Sequence, residues 1–150
     1  MVNPEPFVTT LIGKTVSHAW NGHGSAIFIE FGKLTDTTKL SGSQGNPEGE
    51  LTLMIEWSWR IEKKHSILGG SWSSEKRWPG FLKKIVGSSV TAVEIFGHLP
   101  EISVSLSNGL RLTSFMTAEG QPAWSLLTRS PFIGHLVVER GRLKIDNRHS

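Results

Sequence analysis

The stretch LIGKTVSHAWNGHGSAIFIEFGK, Leu11 to Lys33, returns in altered form as IVGSSVTAVEIFGHLPEISVSLSNG, Ile85 to Gly109. With one residue of slack before the second glycine, Gly13 falls on Gly87, Val16 on Val90 and Gly22-His23 on Gly97-His98. Ile27, Ile29 and Phe31 then fall on Ile102, Val104 and Leu106. The matched positions are apolar at period two, which predicts in each copy a strand, a turn and a returning strand with one buried face. Two copies are too few for a solenoid, which needs about three repeats to bury its own faces, so the halves are expected to pack on each other.

Working outward, LTLMIEWSWRIEKK places Leu51, Leu53, Ile55, Trp57, Trp59 and Ile61 at strict alternation, and the second copy continues with Leu110, Leu112 and PAWSLLT. Trp59-Arg60-Ile61 corresponds to Trp124-Ser125-Leu126. A Trp-x-aliphatic unit that recurs in both halves reads as packing, so Trp59 and Trp124 are expected in the core, with Glu56, Ser58, Arg60 and Glu62 on the other face of their strand. Residues 33–50, KLTDTTKLSGSQGNPEGE, have turn and loop chemistry and form the expected mobile segment. In SWSSEKRWPGFLKKIVG, Ser73 or Ser74 caps a short helix whose Trp78, Phe81, Leu82, Ile85 and Val86 fall at helical spacing, and Pro79 limits where it starts. GHLVVERGRLKID adds a strand pattern with a turn at Gly141, and the polar end NRHS is expected to fray.

The expected architecture is therefore mainly β: two pseudo-repeated antiparallel β units packed as a sandwich or partly open barrel, with one short helix between them. Residues 1–150 are read as a single domain. Repeat unit 1 covers about 11–72, the helical linker about 73–86, repeat unit 2 about 87–128 and the C-terminal strands about 132–146.

Composition narrows the chemistry. The 150 residues are 37% hydrophobic, enough for a core without covalent staples. With no cysteine, disulfides, thiolate zinc sites and cysteine nucleophiles are excluded, and a cytoplasmic location is the expectation. Neither a signal peptide nor an apolar membrane span is expected. Sixteen Lys and Arg against 13 Asp and Glu leave a formal charge of +3, mild for a nucleic-acid binder. Tyrosine is absent and tryptophan occurs six times, so any aromatic contact with a ligand falls to Trp or Phe.

No motif announces a reaction. His23 and His98 beside glycines in the two turns raise a metal-dependent enzyme as one alternative, yet Glu30, Glu94 and Glu101 lack the spacing of a zinc motif. No G-x-S-x-G is present, and GHGSAI at Gly22 lacks the third glycine of a dinucleotide loop. Glu30, Glu56 and Glu94 are candidates for paired carboxylates, although alternation turns many such residues to solvent. RIEKKH, EKRWPGFLKK and ERGRLKIDNR mix basic residues with Trp78 and Phe81, and with Trp72 nearby, which raises single-stranded nucleic-acid binding as a second alternative. Glu62, Glu75, Glu139 and Asp146 interrupt those clusters, so nucleic acid is not the expected partner.

The repeated G-x-x-V strand, the ISVSLSNGLRL hairpin and the closing W-x-L, over Leu11 to Thr128, resemble a group of small bacterial proteins of unknown function. Those motifs are structural and carry over no functional residue. The first copy departs from the pattern, with Phe31-Gly32-Lys33 where the second has Leu106-Ser107-Asn108-Gly109. Proteins of similar look in toxin and immunity neighbourhoods imply a partner-neutralising role. The function expected from the whole reading is non-enzymatic binding of a protein partner or small ligand, without cofactor or metal, and exposed strand edges make a homodimer a further expectation. Ligand contacts are assigned to Trp57, Trp72, Trp78, Phe96 and Arg60.

Overall fold

A computed structural model describes residues 2–118 and 122–146 of the chain. Helix α1 (Glu5–Leu11) precedes the first hairpin, β1 (Val16–Asn21) and β2 (Ile27–Phe31). Strands β3 (Leu51–Ile55), β4 (Trp59–Glu62) and β5 (Ile67–Gly70) complete the first half. A 3-10 turn at Glu75–Arg77 and helix α2 (Trp78–Ile85) lead to the second hairpin, β6 (Val90–Phe96) and β7 (Glu101–Leu106). The chain then forms β8 (Arg111–Ser114), β9 (Trp124–Thr128), β10 (Gly134–Glu139) and β11 (Arg142–Ile145). The polar end at 147–150 lies outside the described residues.

The strands make two antiparallel sheets packed as a sandwich, one ordered β1-β2-β3-β9-β10-β11 and the other β5-β4-β8-β7-β6. Each sheet joins a three-strand meander from one half to strands of the other: β3 pairs with β9, and β8 with β4. The two units therefore exchange their last strands. Between the sheets lie Phe31, Leu53, Ile55 and Trp124 from one, and Trp59, Ile61, Val104 and Leu112 from the other, with Leu11 and Ile85 from the helices. Burying an aliphatic or aromatic side chain of this size contributes about 1.5–3 kcal/mol, so this layer dominates the stability.

The entrances to the two units contact each other reciprocally. Gly13 donates its N–H to the carbonyl of Val90 at 2.9 Å and Gly87 donates to Val16 at 2.7 Å, and Thr15 and Ser89 form an antiparallel bridge between them. Both glycines have positive φ, 86° and 94°, a conformation costly for a residue with a Cβ. Each hairpin then carries a bulge at the same step, between Val16 and His18 and between Val90 and Ala92.

Two elements differ from the sequence reading. The alternation from Leu51 to Ile61 suggests one strand, but Glu56, Trp57 and Ser58 form a crossover that carries the chain from one sheet to the other. Ile55 and Trp59 both face the core on either side of it, so the period-two pattern runs through the break undisturbed. Helix α1 was not anticipated: Phe7 and Leu11, four apart, bury one face, and the Phe7 ring meets Phe132 edge-on at 5.3 Å. In α2 the residues Trp78, Phe81, Leu82 and Ile85 are buried as their spacing requires, whereas Val86 lies beyond the helix end and is exposed. Among the described residues no helix is long and apolar enough to cross a membrane.

Candidate functional site

The outer face of the six-stranded sheet carries a groove of about 840 Å³, within the range of roughly 300–1,000 Å³ common for ligand sites. Strand register builds its floor in two rows. One runs His18, Glu30, Thr52, Leu127, His135 across β1, β2, β3, β9 and β10, and the next runs Trp20, Phe28, Met54, Ser125. Residues 32–50 arch over one side as an irregular hairpin with bridges Thr35 to Glu48 and Thr38 to Gln44, and contribute Thr37, Lys39, Asn46 and Glu48 to the rim.

Glu30 is the centre of the floor. Its position on the outward face would normally leave it in water, yet it is 1% exposed because the arch covers it. Burying a carboxylate is costly unless it is fully hydrogen-bonded. Three donors meet that need: the Trp20 indole N–H at 3.1 Å, the Gly49 backbone N–H at 3.0 Å and the Thr52 hydroxyl. Arg129 extends the network, donating through one terminal nitrogen to Thr52 Oγ1 at 2.8 Å and to the Gly49 carbonyl at 3.0 Å, while its Nε lies 3.1 Å from Glu48. Beside this polar centre, Trp20 and Phe28 stack at 4.2 Å between ring centroids, 10° from parallel. Gly22 makes that stack fit, since a Cβ there would lie 2.3 Å from the Phe28 ring. His18 meets Asn46 of the arch at 3.0 Å.

The arch is also clamped at its base. Glu50 accepts from Lys14 Nζ at 2.9 Å and from the Lys33 backbone N–H at 2.8 Å. The Lys14 hydrogen bond, followed by that of Lys33, lowers the Glu50 pKa below the ordinary glutamate value, and partial burial opposes this weakly. A carboxylate with a lowered folded pKa stabilises the fold above its unfolded value, and that contribution is lost as pH falls through the folded one. Wild type should therefore unfold at a higher temperature than Glu50→Gln at neutral pH, by no more than about 1 kcal/mol for so exposed a pair. The gap should narrow below pH ~4.3 and close in stronger acid. A pH series of thermal melts on both proteins checks this, and a gap that is constant from pH 7 to 2 would refute it.

The residues assigned from sequence are not brought together. Trp72, 83% exposed, follows β5, and Trp57, 45% exposed, sits in the crossover between sheets. Phe96 ends β6, and Arg60 pairs with Glu62 at 2.8 Å and lies 5.5 Å from the Phe115 ring on the outer face of the five-stranded sheet. Trp78 corrects its assignment: at 3% exposure it packs edge-on against Trp59 and donates its indole N–H to the Ser73 carbonyl, because the helical spacing that buries Phe81 and Ile85 buries it too. His23 lies on the rim of the groove, whereas His98 belongs to the hairpin of the other sheet. Among the described residues no three of His, Asp and Glu are grouped to hold a metal ion.

The internal repeat supplies a control for the groove. Counting from the matched bulges, His18, Trp20, Phe28 and Glu30 occupy the steps that Ala92, Glu94, Ser103 and Ser105 occupy in the other sheet. Inward-facing residues are apolar in both halves, but on these outward steps the first half carries two aromatic rings, an imidazole and a carboxylate where the second carries one carboxylate, Glu94, among small side chains. On this face the two halves differ in side-chain size and polarity although both build the same bulged hairpin. A smaller recess of about 570 Å³ near Leu99, Met116 and Ala123 lacks such convergent polar groups.

No family model, curated protein or solved structure matches this chain. The groove is thus assigned from its own chemistry. Sequence reading passed it over because Trp20, Glu30, Thr52 and Arg129 meet only through strand register; the one available signal was Trp20 and Phe28 breaking the polar pattern expected of an outward face.

Proposed function

We propose that this protein is a non-catalytic binding module that receives a small polar ligand in the groove under the arch of residues 32–50. The observation that supports this reading is the buried Glu30, held by three hydrogen bonds, beside an accessible aromatic pair on an outward face whose matched steps in the other half carry no aromatic ring. Three donors already occupy the Glu30 carboxylate, which suits it to fixing the site's shape rather than to exchanging protons with a ligand. The bacterial origin implied by the resemblance of the duplicated hairpins, and the cytoplasmic setting expected from the absence of cysteine, belong to the same proposal.

The six tryptophans make the reading testable, since each indole N–H gives its own NMR signal and only Trp20 lines the groove. In a screen of small polar fragments, the Trp20 signal should shift while those of exposed Trp72 and Trp57 stay fixed. Ser125→Arg, which places in the groove the residue that the other sheet carries as Arg60, should abolish the response. Shifts confined to Trp72 and Trp57, or none, would overturn the proposal.

A further inference from the structure

We infer that the ligand of this groove is a saccharide: a neutral, polyhydroxylated ring with one apolar face. This rests on the groove being the binding site, and it follows from three properties of the lining. The charges nearly cancel, with carboxylates of Glu30, Glu48 and Glu56 against Arg129 and Lys39. Glu48 is paired with Arg129 and the Glu30 carboxylate is held by three internal donors, which leaves one carboxylate, Glu56, and one ammonium, Lys39, so the lining presents no field of a single sign. A phosphate-rich or strongly cationic ligand would find no complementary field here. Neutral hydroxyls, which both donate and accept, suit a wall in which amides, carboxylates, hydroxyls and imidazoles alternate.

The second property is the Trp20 and Phe28 pair. These rings are stacked on each other rather than sealed in the core, and both border the groove. A flat aromatic surface beside hydrogen-bonding side chains is complementary to a sugar ring, whose C–H face is apolar and whose rim is polar. A purely apolar guest is disfavoured by Ser125 and Asn46 in the same wall, which would lose water without gaining partners.

The third is the shape. The groove, about 840 Å³ and bordered on one side by residues of the arch, is large enough for a sugar ring. Asn46 of the arch, in contact with His18, borders the same groove as Trp20 and offers its amide to a ligand hydroxyl.

The experiment titrates the 15N-labelled protein with maltose, cellobiose, N,N′-diacetylchitobiose and lactose, following the Trp20 indole signal. At least one disaccharide should shift it saturably. Trp20→Ala, which lacks that indole and is followed through the backbone amide signals of Asn46 and Gly49, should weaken that binding about tenfold or more, equivalent to ~1.4 kcal/mol. Asn46→Ala, an exposed substitution on the arch that leaves the sheet intact, should weaken it by a smaller factor, and Trp72→Ala should leave it unchanged. If fragments of other chemistry bind at Trp20 and no disaccharide does, the saccharide assignment falls while the groove stands as a binding site. If nothing of either kind moves the Trp20 signal, both readings fall.

Discussion

Replacing Trp124 by alanine should cost about 3–5 kcal/mol, the usual penalty for emptying the space of a buried Trp or Phe, out of a total stability of about 5–15 kcal/mol. Trp124 and its repeat counterpart Trp59 are both fully buried, but their indoles are treated differently. Trp124 donates to the Pro100 carbonyl at 2.9 Å and so ties β9 to the tip of the β6–β7 hairpin. Trp59 has no hydrogen-bond partner for its Nε1 among the described residues and meets Trp78 edge-on at 5.2 Å. Phenylalanine separates the two cases. Trp124→Phe leaves a carbonyl without its donor in addition to a smaller ring, while Trp59→Phe removes no hydrogen bond. Trp124→Phe should therefore be the worse of the pair by about 1 kcal/mol. Urea unfolding of both variants measures the difference, and equal losses would show that the Pro100 bond contributes nothing net.

Glu30→Ala should cost about 3 kcal/mol, less than the sum of three stranded donors because water in the groove can reach some of them. The loss should be local as well as global. Gly49 N–H, which donates to Glu30, should exchange with solvent faster, and protease should cut sooner within residues 33–48, because the arch loses its inner anchor. Glu30→Gln keeps the shape and one carbonyl oxygen but presents an amide where three donors converge, so its penalty should fall between those of alanine and wild type. A stability within ~0.5 kcal/mol of wild type for Glu30→Ala, the range of ordinary surface changes, would remove Glu30 from the centre of the site.

The fold was legible where burial imposes a period. Ile27, Ile29 and Phe31 against Ile102, Val104 and Leu106 report a buried face directly, and Gly13 and Gly87 mark the paired turns that start each unit. Legibility ended where two physical causes give one pattern. Ile55 and Trp59 both point inward, so the alternation could not show that Glu56 to Ser58 changes sheets. Glu30 had the opposite problem: its outward position was correct, but its burial depends on an arch whose composition reads as a mobile loop. That segment is held by Glu30, by Arg129 and by its own last residue, Glu50, whose roles appear only once strands are in register. Trp78 was assigned both to the apolar face of a helix and to a ligand surface, and burial decided for the first.

The exchange of strands between halves also sets a timetable for synthesis. When β3 leaves the ribosome its β9 partner lies about seventy residues further along, a delay of roughly 4–15 s at about 5–20 residues per second. Throughout that interval Leu51, Leu53 and Ile55 sit on a strand with one open edge, the arrangement most prone to pairing with a neighbouring chain. Neither sheet can be finished before the second half exists, so the first strands stay open to wrong pairing for longer than the chain's modest length suggests.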